Sequence, residues 1–118
     1  MFTASSYVFA DEAQGWSISL PGPEDRHLIL ERPSPDYDEG EGLYFELDSQ
    51  ETACFGGLLE IAVTDKELII VLTQKGARRT KLAPTFTIAL DLPDDRKKQL
   101  VADLDKVCDG MCRVRRRP

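Results

Sequence analysis

Apolar and polar side chains alternate most clearly in the segment 43–73. Leu43, Phe45 and Leu47 are separated by polar or amphipathic residues, and a period of two places these three on one face of a strand. The segment predicts three strands, over residues 43–48, 55–63 and 68–73, with a reversing loop over 49–53. The last strand is apolar on both faces, which favours a central place in a sheet that is covered on both sides.

A glycine pair, Gly56 and Gly57, interrupts the second of these strands near its start. Glycine weakens the interior of a strand, because it has no side chain to pack and loses the most backbone freedom on folding. A pair at this place therefore predicts either a bulge or a point at which another part of the molecule approaches the backbone closely.

The rest of the chain predicts further strands and one helix. Alternation favours strands over residues 2–10, 16–20, 27–32 and 85–92, with the first two forming a hairpin. Between Pro93 and Gly110 the apolar residues recur with the spacing of an amphipathic helix. They are Leu100, Val101, Leu104, Val107 and Cys108.

These elements predict an α+β domain: a mainly antiparallel sheet of six or seven strands with one C-terminal helix packed on a face. The length of 118 residues suits one domain with one core, which we assign to residues 1–112. The last six residues, 113–118, contain four arginines and no apolar pattern, so we expect a basic, mobile tail there.

Charge is unevenly distributed along the chain, whose net charge is −6. Residues 31–51 contain eight acids and one base, Arg32. A local excess of negative charge repels nucleic-acid phosphates and attracts a basic partner, so we expect no nucleic acid as partner. A solvated loop kept soluble by its charge has the same composition. The basic stretch 74–81 could form ion pairs with these acids, either within one molecule or between two copies.

Three cysteines, an odd number, occur in a chain with no secretion signal and no apolar run of membrane-spanning length. We therefore expect reduced thiols, a cytoplasmic protein and no membrane contact. A zinc site needs about four ligands, and the single histidine, His27, is remote in sequence from Cys108 and Cys112. No metal and no cofactor is predicted.

The longest predicted loop, residues 33–42, places a tyrosine among carboxylates. Tyrosine offers rigid contact area, and neighbouring carboxylates steer a basic partner toward it. We therefore predict a protein-binding surface in this loop. The hypothesis covers Asp36, Tyr37, Asp38, Glu39 and Glu41.

No catalytic constellation is visible in the sequence, so we do not predict an enzyme. His27 has no cysteine, serine or second histidine beside it on its strand, and a general base or an activated nucleophile needs a partner. Glu46 and Glu60 lie on strands opposite the main apolar stripe, where exposure or a hydrogen bond is the expectation. A small enzyme that uses His27 or Glu46 stays open as an alternative.

Three segments of the chain resemble one protein family. They are residues 42–50 (GLYFELDSQ), 54–61 (CFGGLLEI) and 66–72 (KELIIVL). Their order is an aromatic-x-Glu strand, Asp-x-Gln, an aromatic-Gly-Gly turn into a strand, and a further apolar strand. This pattern resembles the immunity protein 10 family of bacterial polymorphic toxin systems, and the resemblance extends over about residues 17–110.

The resemblance implies a protein that binds a cognate bacterial toxin domain and blocks its active site or its access to substrate. Many such toxins are nucleases with basic surfaces, which an acidic inhibitor can occupy. The motif positions Glu46, Asp48, Gln50, Gly56 and Gly57 are carried over with a structural role. Glu46 and Gln50 are expected to bond backbone N–H groups near the glycine pair. The alternative function is a non-catalytic homodimeric structural or adaptor domain.

Overall fold

Two five-stranded sheets make up the protein in a computed structural model that describes residues 1–38, 40 and 42–118. The described strands are β1 (Thr3–Ala4), β2 (Val8–Glu12), β3 (Gly15–Pro21), β4 (His27–Pro33), β5 (Tyr44–Leu47), β6 (Ser49–Phe55), β7 (Leu58–Val63), β8 (Glu67–Leu72), β9 (Thr85–Leu90) and β10 (Arg113–Arg116). Sheet I has the order β1-β9-β8-β7-β10, and sheet II has the order β2-β3-β4-β5-β6. Neighbouring strands are antiparallel except β1–β9 and β7–β10, which are parallel.

Two α-helices and one short 3-10 turn complete the elements of the described residues. α1 spans Gln74–Thr80, α2 spans Asp94–Cys108, and the 3-10 turn spans Pro35–Tyr37. The predicted α+β class is confirmed, but the prediction of one sheet with one helix is wrong. The chain builds sheet II first and then changes sheets, and alternation along a sequence cannot show which strands pair. Neither of these helices has both the length and the apolar character needed to cross a membrane.

A single cluster of buried apolar residues joins both sheets and α2. Side chains with no exposed surface come from all three: Ile18, Leu30, Phe45, Ile61, Ile70, Ile88, Leu100 and Leu104. The period-two alternation directs these strand residues inward. β8 lies in the middle of sheet I, as its sequence predicts. Its outer-face residues Ile69 and Val71 are half-buried, so the predicted coverage of both faces is only partial.

Arg32 on β4 ties the C-terminal end of α2 to sheet II. Its Nε donates to Val107 O and its Nη2 to Lys106 O, each at 2.8 Å, and its guanidinium lies 3.9 Å from the centre of the Trp16 ring. The last carbonyls of a helix lack a partner in the helix and carry partial negative charge, so a cation stabilises them. The Arg32 side chain is 12% exposed, because it is committed to this contact.

Two buried polar side chains hold the remainder of α2. Lys97 Nζ donates to Asp65 O, in the β7–β8 turn, at 2.5 Å. Tyr7 Oη donates to the buried Asp103 carboxylate at 2.9 Å, and Gln99 Nε2 donates to its other oxygen at 3.0 Å. A buried carboxylate is costly without donors, and these two bonds offset that cost. Burial and the bond to Asp103 raise the pKa of Tyr7 to about 12.

The chain passes from sheet II to sheet I at Gly57, where the backbone of α1 makes contact. Thr73 N–H donates to Gly57 O at 2.9 Å, and the Thr73 hydroxyl caps α1 by accepting from Gly76 N–H at 3.0 Å. A Cβ atom on Gly76 would lie 2.7 Å from Gly57 Cα, so a side chain does not fit there. The predicted close approach at the glycine pair is confirmed. Gly56 has φ +70°, and a register shift follows between β7 and β8.

Several segments differ from the predicted elements, although the predicted first hairpin forms between β2 and β3. Residues 49–53 are not a loop but part of β6, because the chain reverses at Asp48 with φ +67°. Residues 2–10 are divided between β1 and β2, which lie in different sheets. The basic stretch 74–81 is largely α1, and a helix of 7 residues is too short to give a periodic signal.

The C-terminal arginines form a strand where we expected a mobile tail. β10 pairs in parallel with β7. Arg115 and Arg117 lie 3.3 and 3.4 Å from the carboxylate of Glu60, and Arg116 lies 2.7 Å from that of Asp65. The acids that hold this strand are 51 to 57 residues earlier in the chain, so no local pattern indicates it.

We expect Gly76→Ala to destabilise the protein, although alanine is the better helix former by about 1 kcal/mol. The added methyl group meets the Gly57 backbone, and overpacking costs about 1–3 kcal/mol. Urea unfolding should show a net loss of up to about 2 kcal/mol. Lys75→Ala, at an exposed position of α1, is the control and should change stability by less than about 0.5 kcal/mol. A Gly76→Ala protein more stable than wild type would contradict the contact.

Candidate functional site

A cleft of about 380 Å³ opens on the outer face of sheet II. Glu31 on β4 and Phe55 on β6 both lie opposite Tyr44 of β5, so the three form one row across the sheet. The residues that precede them in the sequence, Leu30, Leu43 and Cys54, are buried on the other face, which identifies this row as the outer one. The lining includes Glu12, Trp16, Glu31, Tyr37, Asp38 and Phe55. We refer to this site as the acidic cleft.

The loop after β4 supplies one wall of the acidic cleft. Ser34 N–H donates to Gln14 O at 2.8 Å and the Ser34 hydroxyl donates to Ala13 O at 2.9 Å. These bonds fold the loop back against the β2–β3 turn. The 3-10 turn that begins at the next residue then places Tyr37 and Asp38 in the lining.

The acidic cleft presents negative charge to solvent. Glu12, Glu31 and Asp38 are exposed, and Arg32 is the one basic residue in the described lining. Arg32 does not neutralise them fully, because its guanidinium donates to the carbonyls at the end of α2. A cleft with one sign of charge raises the local concentration of oppositely charged groups and speeds their association.

Two aromatic side chains in the cleft face solvent. Tyr37 is 57% exposed and Phe55 is 43% exposed. The Phe55 ring packs at 5.0 Å, centroid to centroid, against Tyr44, which limits its freedom before any partner arrives. Rigid aromatic surface of this kind contributes most to binding, since little side-chain entropy is lost on contact.

The predicted loop site is brought partly into this cleft. Tyr37 and Asp38 line it, whereas Asp36 is exposed on the same turn outside the lining. Glu39 and Glu41 lie outside the described residues. Sequence reasoning missed Glu12 and Phe55 as members of the site. Phe55 joins it through the pairing of β5 with β6, which the sequence alone does not give.

A second cluster, His27, Tyr44 and Glu46, lies on the same face. His27 Nε2 is 2.6 Å from Glu46 Oε2, and Tyr44 Oη donates to Glu46 Oε1 at 2.7 Å. The other ring nitrogen of His27 is 3.3 Å from Asp25 O. Glu46 is thus the partner of His27 that the sequence does not reveal, 19 residues away on the neighbouring strand.

The protonation of this cluster is set by its hydrogen bonds. The bond to Glu46 raises the pKa of His27 above its ordinary 6.5, against burial. Burial raises the pKa of Glu46, but the bonds from His27 and Tyr44 outweigh it, so the net shift is downward. Burial and the bond to Glu46 raise the pKa of Tyr44 to about 12. Below the raised pKa of His27 the cluster is an imidazolium–carboxylate pair with a neutral phenol, which clamps β4 to β5.

The motif residues stabilise the sheet in a different way from the one expected. Arg26 Nη2 donates to Asp48 Oδ2 at 2.9 Å, and the hydrogen bond from Arg26 lowers the pKa of Asp48. Gly56 N–H donates to Leu43 O at 2.8 Å, so the expected role of Glu46 at the glycine pair is wrong. The Gln50 side chain is exposed.

The three cysteines, Cys54, Cys108 and Cys112, are buried free thiols. A hydrogen bond with the Cys112 thiol, together with burial, raises the pKa of Cys108. Within residues 1–38, 40 and 42–118 no group of three or more His, Cys, Asp or Glu side chains is placed to hold a metal ion. The absence of a metal stays a prediction.

We expect the proton NMR titration of His27, the single histidine of the chain, to give a pKa above 6.5. Glu46→Gln should lower this pKa, because the largest cause of the upward shift is lost while burial remains. Glu31→Gln, an exposed acid on β4, is the control and should leave the titration unchanged. An unaltered titration in Glu46→Gln would show that the pair does not form in solution.

The same pair predicts a pH window for stability. His27 has a raised pKa, so its contribution is complete below 6.5 and is lost as the pH rises through the raised value. Glu46 has a lowered pKa, so its contribution is complete above 4.5 and is lost as the pH falls through the lowered value. We therefore expect the difference in unfolding free energy between wild type and Glu46→Gln, measured by urea unfolding at a series of pH values, to be largest between pH 4.5 and 6.5.

In comparisons with known proteins, no family model, no curated protein and no solved structure matches the chain. The resemblance to the immunity protein 10 family is therefore a hypothesis, and the site is interpreted from its own geometry.

Proposed function

We propose that this protein is a non-catalytic inhibitor that binds and neutralises a basic protein, in the sense of an immunity protein acting on a cognate bacterial toxin domain. One observation carries the proposal. The acidic cleft combines exposed carboxylates with two exposed aromatic rings on the outer face of a well-held sheet. A binding site for a basic partner needs these two components, charge for steering and rigid apolar surface for affinity.

The dimensions of the acidic cleft suit side chains that protrude from a partner surface. Its volume of about 380 Å³ lies at the lower end of the range of ligand pockets, about 300–1,000 Å³. An arginine or lysine from the partner can place its charge among Glu31, Asp38 and Glu12 and its stem against Tyr37 or Phe55. A cation over an aromatic face gains about 0.5–2 kcal/mol, depending on how far it is desolvated.

A nuclease-like toxin domain is the kind of partner that this chemistry favours. A surface that binds nucleic acid carries lysines and arginines that neutralise phosphates. Carboxylates of the acidic cleft can occupy the same groups, which would block the access of substrate. The inhibitor then acts by binding alone, and the proposal places both proteins in the cytoplasm, where a nuclease meets its substrate.

The test is isothermal calorimetry with the toxin domain encoded beside this protein. We expect one-to-one binding with a dissociation constant of about 1–100 nM that weakens as salt is added. Tyr37→Ala should weaken it by at least about tenfold, because a buried aromatic anchor contributes about 1.4 kcal/mol or more. Glu31→Lys with Asp38→Lys should weaken binding by about tenfold or more, because the acids that attract a basic partner are reversed.

Asp91→Lys is the control for reversing an acid elsewhere on the surface, since Asp91 is exposed and lies outside the acidic cleft. It should leave the affinity within about twofold of wild type. Thermal unfolding of each variant establishes that the fold is retained. The proposal fails if no neighbouring toxin domain binds, or if the cleft variants bind as tightly as Asp91→Lys does.

A further inference from the structure

The outer side of α1 forms a basic face. Lys75, Arg78 and Arg79 have the i, i+3, i+4 spacing that brings side chains together on a helix, and all three are exposed. The side of α1 that contacts the rest of the protein includes the buried Gly76. The three basic residues and Gln74 line a shallow groove of about 410 Å³.

This basic face is not paired with acids inside the described part of the molecule. Among residues 1–38, 40 and 42–118, no salt bridge involves Lys75, Arg78 or Arg79. Arg115 and Arg116 of β10, in contrast, are paired with Glu60 and Asp65. The acidic cleft also keeps its charge, because Arg32 is directed to α2. The protein therefore carries two surfaces of opposite charge.

The two charged surfaces are close to the same strand. α1 packs against β6, and β6 supplies Phe55 to the acidic cleft. A partner that contacts both surfaces must itself present an acidic and a basic surface at a matching separation. A second copy of this chain does so by symmetry, because in a twofold pair each surface of one copy meets the complementary surface of the other.

We propose that two copies of this chain associate about a twofold axis, with the basic face of each α1 lying against the acidic cleft of the other copy. The stems of Arg78 and Arg79 then cover Tyr37 and Phe55, which are otherwise exposed to water. Each acidic cleft is closed in the pair, so a basic partner protein has to displace the second copy. This self-association needs only the chain itself and stands whether or not a toxin binds.

The effect of salt on such a pair follows from the distances involved. Each copy has a net charge of −6, and the molecule measures 36 × 31 × 28 Å. At about 0.1 M salt the screening length is about 10 Å. The repulsion between the net charges of two molecules acts over longer distances and is therefore mostly screened. The attraction between paired ions about 4 Å apart is screened much less. A rise to about 0.5 M salt should therefore weaken the pair rather than strengthen it.

Sedimentation velocity with charge-reversed variants tests the proposal. The α1 variant carries Arg78→Glu and Arg79→Glu, and the cleft variant carries Glu31→Lys and Asp38→Lys. Each variant alone has like charges at both contacts and should be monomeric at about 100 μM, where a micromolar pair is mostly associated. An equimolar mixture should form the dimer. In the mixed pair, the acidic α1 of one variant meets the basic cleft of the other, and the second contact joins a native α1 to a native cleft.

Lys66→Glu with Lys98→Glu is the control for net charge. These two lysines are exposed outside both surfaces, and the change takes the net charge from −6 to −10, as the α1 variant does. This control should dimerise like wild type. If the glutamates of the α1 variant prevent folding, Arg78→Gln with Arg79→Gln should still weaken the dimer by at least about tenfold.

Three results would overturn the reciprocal contact. They are a wild-type chain that stays monomeric at about 0.1 M salt, a dimer that persists in either separate variant, and a mixture of the two variants that stays monomeric. None of these results bears on toxin binding, because no toxin is present in the experiment. If the chain dimerises but binds no toxin domain, the homodimer proposal is supported and the proposed inhibitor function fails.

Discussion

The contact between Gly57 and Gly76 is the constraint on which both charged surfaces depend. At this place the chain leaves sheet II and enters sheet I, and its backbone contacts the first turn of α1. Because neither residue has a side chain, the two backbones touch, and α1 is fixed at the edge of sheet II. Phe55, two residues before Gly57, lines the acidic cleft through its pairing with Tyr44 of β5.

The electrostatic character of the acidic cleft is a consequence of how α2 is held. The acidic segment of the sequence contains one base, Arg32, and the fold uses that base to satisfy the carbonyls of Lys106 and Val107. A helix end buried without such a partner would cost free energy. The end of α2 therefore draws Arg32, the one basic residue in the described lining, away from Glu31 and Asp38, and the acidic cleft keeps most of its negative charge.

The strands were largely predictable, because the period-two alternation reports directly which side of each strand is buried. Three features were not. α1 is short and contains a glycine, β10 is held by Glu60 and Asp65 from a distant part of the chain, and the division into two sheets depends on pairings that leave no local trace. For β10 and for the division into two sheets, the deciding partner is far away in sequence.

The candidate site was predictable to the same extent and for the same reason. Tyr37 and Asp38 belong to a loop whose composition indicates partner binding. Phe55 and Glu12 enter the acidic cleft through strand register, and His27 acquires Glu46 through the pairing of β4 with β5. Spacing in the sequence shows none of these relations.

The outer face of sheet II divides into a part that supports the fold and a part that is free to contact a partner. His27 and Tyr44 each bond to Glu46, so a change in any of the three leaves a polar group without its partner and should affect folding first. Glu31, Tyr37 and Asp38 are exposed, so their replacement should leave the fold intact. The proposed inhibitor function is compatible with this division, because the residues of the acidic cleft can change while the bonds between β4 and β5 are kept.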